Sequence, residues 1–107
     1  MAGKFLGKTI VVTGSGKEKG LGQGILRAFA SEGANCVISD LRIDAEAEGV
    51  AAELRGRGTK VATIACDVSD AAQCSALINQ AVAKFGGVDI FVNNAGIGFL
   101  MKPLLEV

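Results

Sequence analysis

A chain of 107 residues, half of them apolar, is long enough for one domain with a single modest core. Eleven basic residues balance eleven acidic ones, which excludes the concentrated Lys/Arg excess that draws nucleic acid or an anionic membrane. No apolar run approaches the roughly 20 residues that span a bilayer. The segment from Met1 to Lys8 also lacks the apolar stretch of a secretory signal, so a soluble, cytoplasmic protein with no membrane partner is expected.

In chain order, Thr9-Ile10-Val11-Val12-Thr13 is a continuous apolar run, as expected of a strand covered on both faces. A glycine-rich stretch follows, then Leu21, Ile25, Phe29 and Ala30 at helical spacing, closed by Gly33. Asn35 to Asp40 reads as a second strand. The next helix places Ala47, Val50, Ala51 and Leu54 on one face and ends near Gly56 and Gly58. Val61 to Ala65 form a third strand. Ser69 is the expected cap of a third helix, with Cys74, Leu77, Ile78, Ala81, Val82 and Phe85 as its inward stripe. Gly86-Gly87 stops that helix, and Val88 to Val92 make a fourth strand.

The order is therefore βαβαβαβ, an α/β pattern that calls for a parallel sheet with helices on both faces. Right-handed crossovers leave few topologies, and strand order 3-2-1-4 is the natural one. In that order the sheet reverses direction between strands 1 and 4, which puts the ligand crevice at their carboxyl ends. The residues of chemical interest are then those just after Thr13, Asp40, Cys66 and Val92.

After the first strand comes Thr13-Gly14-Ser15-Gly16-Lys17-Glu18-Lys19-Gly20-Leu21-Gly22. Glycines let a backbone approach a pyrophosphate closely, and a helix opening at Gly20 aims N–H groups and its positive end at that anion. A plain turn would also use glycines. The loop is not of the nucleotide triphosphate type, because Glu18 stands where a magnesium-binding Ser or Thr is required. Asp40 ends the second strand, where a carboxylate can accept both hydroxyls of an adenosine ribose or simply cap a helix. Asp67-Val68 can meet an adenine edge, or serve as a strand-end acid before a helix. Asn93-Asn94-Ala95-Gly96 follows the fourth strand, where its amides can pair with unsatisfied peptide groups. Cys36, Cys66 and Cys74 are odd in number, lack Cys-x-x-Cys spacing and fall in apolar stretches, so reduced thiols are expected. With no His present, no metal site is expected.

Taken together, Thr13-Gly14 leading to Gly20-Leu21-Gly22, then Asp40, Asp67-Val68 and Asn93-Asn94-Ala95-Gly96, resemble the short-chain dehydrogenases/reductases over nearly the whole chain. The resemblance implies a three-layer Rossmann-like sheet and an NAD(P)-binding half-domain spanning residues 1–107, truncated before the fifth strand. It implies that Gly14, Ser15, Gly20, Leu21 and Gly22 line the pyrophosphate, with Lys19 a further cofactor-binding residue at the position where some NADP-preferring relatives carry a basic side chain. It further implies that Asp40 holds the adenosine ribose, Asp67 and Val68 the adenine edge, and Asn94, Ala95 and Gly96 the nicotinamide-side ribose. Asn93 would tie the central strands together. The loop departs from the family pattern, with five residues between Gly14 and Gly20 where three are usual, a spacing similar to the divergent enoyl-reductase branch. The family's catalytic Ser, Tyr-x-x-x-Lys and further Asn have no counterparts here, and the chain contains no Tyr at all. No catalytic residue is therefore assigned.

The resemblance implies an alcohol/ketone oxidoreductase using NAD, with NADP the lesser choice because Asp40 would face its 2′-phosphate. Lys19 argues the other way, while Arg42 lies one place past the position where an Arg would best clamp that phosphate. Two alternatives stay open: an inactive nucleotide-binding or assembly fragment, and a non-redox Rossmann enzyme such as a methyltransferase. A fourth strand with an uncovered edge is also expected to drive self-association.

Overall fold

The computed structural model describes residues 3–16 and 20–94. Four strands, β1 (Thr9–Thr13), β2 (Asn35–Asp40), β3 (Val61–Ala65) and β4 (Ile90–Asn93), alternate with helices α1 (Leu21–Ala30), α2 (Ala45–Gly56) and α3 (Ala71–Phe85). All pairings are parallel, and the order is β3-β2-β1-β4, as the pattern predicts. Val11 of β1 lies opposite Val37 on one side and Phe91 on the other.

Because strand side chains alternate, β1, β2 and β3 each feed two cores. One face carries Ile10, Val12, Cys36 and Ile38 against Leu26 of α1 and Ala47, Val50, Ala51 and Leu54 of α2. The other carries Val11, Val37, Ala62 and Ile64 against Leu77 and Ala81 of α3. The N-terminal turn adds to the first face, where the rings of Phe5 and Phe29 meet with centroids 4.8 Å apart.

Four details differ from the sequence reading. The α3 cap is Asp70, whose carboxylate accepts from the N–H groups of Ala72 (2.9 Å) and Gln73 (3.3 Å). Ser69 is not available for that task, because its N–H and hydroxyl both donate to Asp67. β4 begins two residues later than expected: Asp89 is tied to Thr9 both by its carboxylate, which accepts from the Thr9 N–H at 2.8 Å, and by its own N–H, which donates to the Thr9 carbonyl at 2.9 Å. In α1, Leu21 is 63% exposed, and Leu26 fills the core instead. On α3, Val82 lies at 42% exposure, so the inward stripe is narrower than its periodicity suggests.

The helix starts also differ from one another. Asp44 caps α2 through the Ala47 N–H at 3.0 Å. α1 opens on Gly20, which has no side chain to cap with, and its first turn holds no acidic residue.

Candidate functional site

Three segments meet at the carboxyl ends of β1, β2 and β4. Gly14 leaves β1 with φ +67°, a left-handed conformation that suits glycine and turns the chain back over the sheet. Ser15 then fastens the loop to β2. Its N–H donates to the Ser39 carbonyl at 2.9 Å, and its hydroxyl donates to the Val12 carbonyl at 2.6 Å while accepting from the Ser39 N–H at 3.1 Å. Ser15 is wholly buried, backbone included. The buried hydroxyl of Ser39 beside it has no hydrogen-bond partner among the described residues, and the structure gives no account of why.

Asp40 closes the next part of the site. One carboxylate oxygen accepts from the Gly16 N–H at 3.0 Å and the other from the Leu41 N–H at 2.8 Å. Gly16, Asp40, Leu41, Arg42 and Asp44 line a cavity of about 330 Å³. Gly16 fits tightly here: a Cβ on it would lie 3.0 Å from the Asp40 carboxylate and 3.2 Å from the Ala47 methyl. The sequence reading gave Gly16 no role. The signal was present in the spacing Gly14-x-Gly16, which puts a second small residue where the loop passes the tip of β2.

Two neighbouring asparagines join the loop to β4. The Thr13 hydroxyl donates to Asn93 Oδ1 at 3.0 Å, which links β1 to β4 by side chains as well as by the ladder. The Asn94 amide donates to the Gly14 carbonyl at 3.0 Å. Gly22 completes this junction, because a Cβ there would lie 2.7 Å from the Asn94 amide nitrogen and 3.0 Å from the Gly14 carbonyl oxygen. Any side chain at position 22 would have to displace one of them.

Asp67 and Val68 follow β3 at the neighbouring strand end. The Asp67 N–H donates to Gln73 Oε1 at 2.8 Å, and its carboxylate accepts from the Ser69 N–H (3.0 Å) and hydroxyl (2.6 Å). The hydroxyl and then the N–H of Ser69 hold that carboxyl below the usual carboxylate range. Val68 stands 39% exposed at the end of the sheet. Lys19, Ala95 and Gly96 lie outside the described residues.

Among the described residues, larger cavities lie elsewhere. Two of about 500 and 490 Å³ share Arg55 and Lys84 along β3, on the side away from the loop. Neither joins the groups just described. Volume is a weaker guide than convergent polar groups at strand carboxyl ends.

A parallel sheet ordered 3-2-1-4 with a glycine loop, an acidic residue ending β2 and paired asparagines ending β4 defines a Rossmann-like class of α/β protein. The family model for short chain dehydrogenases matches residues 8–106, and the chain belongs to that family. Among curated relatives, Oxidoreductase UcpA of Escherichia coli K12 is 45% identical over 95 residues, covering 89% of this chain and 35% of that protein. The 7alpha-hydroxysteroid dehydrogenase of the same organism is 41% identical over 92 residues, covering 86% and 35%. The chain therefore spans about a third of the length of the relatives it matches. Among solved structures, a putative short-chain dehydrogenase/reductase from Burkholderia xenovorans superposes with TM-score 0.79 at 38% identity, covering 87% of this chain and 38% of the other. A hydroxysteroid dehydrogenase from Escherichia coli gives 0.76 at 37% identity, covering 83% and 37%.

Proposed function

We propose that residues 1–107 form the cofactor-binding half-domain of an NAD-dependent oxidoreductase that interconverts alcohols and ketones. The observation that carries this reading is the Asp40 carboxylate, held by two backbone N–H groups at the tip of β2 beside a cavity and the glycine loop. The residues present fit such a cofactor. α1 begins without a side-chain cap or an acidic first turn, so its positive end remains for a pyrophosphate. Gly14, Ser15, Gly20, Leu21 and Gly22 are assigned to that group, and Lys19 to the cofactor more generally. Asp40 is assigned to the adenosine ribose, Asp67 and Val68 to the adenine edge, and Asn94, Ala95 and Gly96 to the nicotinamide-side ribose.

When bound, the nicotinamide supplies hydride chemistry, and the chain's part is to hold and orient the dinucleotide. Asn94 does this indirectly as well, since its bond to the Gly14 carbonyl sets the loop against β4. A proton donor is also required for alcohol/ketone interconversion, and with neither Tyr nor His this chain alone is expected to be inactive. A cytoplasmic setting is part of the proposal, supported by three unpaired cysteines. None of the helices among the described residues is long and apolar enough to cross a membrane. Self-association through β4 is proposed too, because Phe91 on that strand is 43% exposed.

NAD is expected to bind better than NADP. A carboxylate ~4 Å from a 2′-phosphate at an effective dielectric of ~20 is repelled by about 4 kcal/mol per unit charge, before relaxation and screening reduce it. Calorimetric titration is expected to show NAD binding at least about tenfold tighter, equivalent to about 1.4 kcal/mol. The same preparation should bind NAD without reducing it in the presence of secondary alcohols. Tighter binding of NADP, or an Asp40→Ala change that leaves the ratio untouched, would remove Asp40 from the role of selector.

A further inference from the structure

Cys66 and Cys74 take no part in the site described above, yet the fold brings them together. Cys66 is the residue directly after β3, is 3% exposed, and belongs to the core under α3. Cys74 lies in the first turns of α3, half-buried, and packs against that same core. The turn between them is held closed by several contacts. The Asp67 N–H donates to Gln73 Oε1 at 2.8 Å, the Asp70 N–H donates to the Asp67 carbonyl at 3.0 Å, and the Cys74 thiol reaches the Val68 carbonyl at 3.5 Å. Both side chains border the one small core under α3. Cys36, the third cysteine, is buried on the opposite face of the sheet and hydrogen bonds toward the Leu26 carbonyl.

We propose that Cys66 and Cys74 are a modification site, forming a reversible intramolecular disulfide on exposure to a peroxide. Cys74 is the more accessible of the two and reacts first. Its sulfur attacks one peroxide oxygen, the O–O bond breaks, and the leaving oxygen departs as water, which leaves Cys74 as a sulfenic acid. Cys66 sulfur then attacks Cys74 sulfur, the S–O bond breaks, and the hydroxyl leaves with the Cys66 proton as a second water. Two thiols have lost two electrons and two protons, and the peroxide has been reduced to two waters. Burial, reinforced by Cys74, pushes the Cys66 thiol up. A small dithiol reverses the bond by exchange at the accessible Cys74 sulfur. The link closes the turn that carries Asp67 and Val68, the segment assigned above to the adenine edge. Its formation does not depend on that assignment.

The sequence makes the test direct. Trypsin cuts after Lys60 and Lys84 and at no position between them, so both cysteines stay in one peptide while Cys36 falls in another. The folded chain is treated with hydrogen peroxide, unfolded, alkylated and digested. The expected product is an unalkylated 61–84 peptide about 2 Da lighter than its dithiol form. Dithiothreitol added before alkylation should restore both alkyl groups. Cys74→Ser, a change at a half-buried position checked for folding by circular dichroism, should leave Cys66 alkylatable after the same treatment. Both cysteines alkylated after peroxide, Cys74 carried only to sulfinic or sulfonic acid, or links found only between chains would each overturn the proposal.

Discussion

The two faces of the sheet are built from the same strands and finished differently. On one, α1 and α2 together leave Ile10, Val12, Cys36 and Ile38 with no exposed surface. On the other, α3 buries just Leu77 and Ala81 of its own residues. Val11 and Phe91 sit opposite each other in register on that second face, yet Val11 is fully buried and Phe91 is 43% exposed. The larger apolar residue has the poorer cover. What decides a strand residue's burial here is the helix above it, and among the described residues no helix packs over Phe91.

The comparison can be broken most forcefully from the covered side. Leu26→Ala opens a hole beneath α1 in a core closed on all sides, and is expected to cost about 2–5 kcal/mol in urea unfolding. A loss well under that range would mean that the α1–α2 face relaxes as freely as the other. A smaller effect tests how α3 holds its place with so little buried. Asp70→Ala removes the acceptor for two N–H groups and is expected to cost about 1 kcal/mol. Unfolding curves that superpose on those of the unaltered chain would show that packing alone fixes α3. The smallest change in stability is expected on the open side. Phe91→Ser should alter the unfolding free energy by no more than about 0.5 kcal/mol. The same change should lower hydrophobic-dye binding and shift light scattering toward monomer. An unaltered chain that already scatters as a monomer and binds no dye would mean that the exposed β4 ring is no association surface.

The sequence made β1, β2 and β3 legible to the residue because each is an apolar run bounded by turn residues. Such strands are covered on both faces, so their composition announces them. The shorter edge strand was read less well: Val88 packs against the core under α3, and Asp89 binds Thr9 through its carboxylate as well as its N–H, an arrangement no periodicity reveals. The cap of α3 was misplaced by one residue, since Ser69 and Asp70 are both good caps and what separates them is the pull of Asp67 on Ser69. Around the candidate site, glycines and acids announced where chemistry would gather but not how they contact one another. That Gly22 must be small because Asn94 reaches across to Gly14 depends on residues far apart in the chain, which spacing alone cannot pair.

That last contact bears on the order in which the molecule assembles. The ties between the glycine loop and β2, such as the Ser39 N–H to the Ser15 hydroxyl, join residues 24 positions apart. Those from β1 and its loop to the end of β4, Thr13 to Asn93 and Asn94 to Gly14, each span 80. Closing the longer span costs more chain entropy and contributes to slow folding through high contact order. A chain ordered only as far as β3 would carry the Asp40 corner of the crevice without its β4 wall. The Asp40 corner of the crevice is thus closed by short spans of chain, and its β4 wall by long ones.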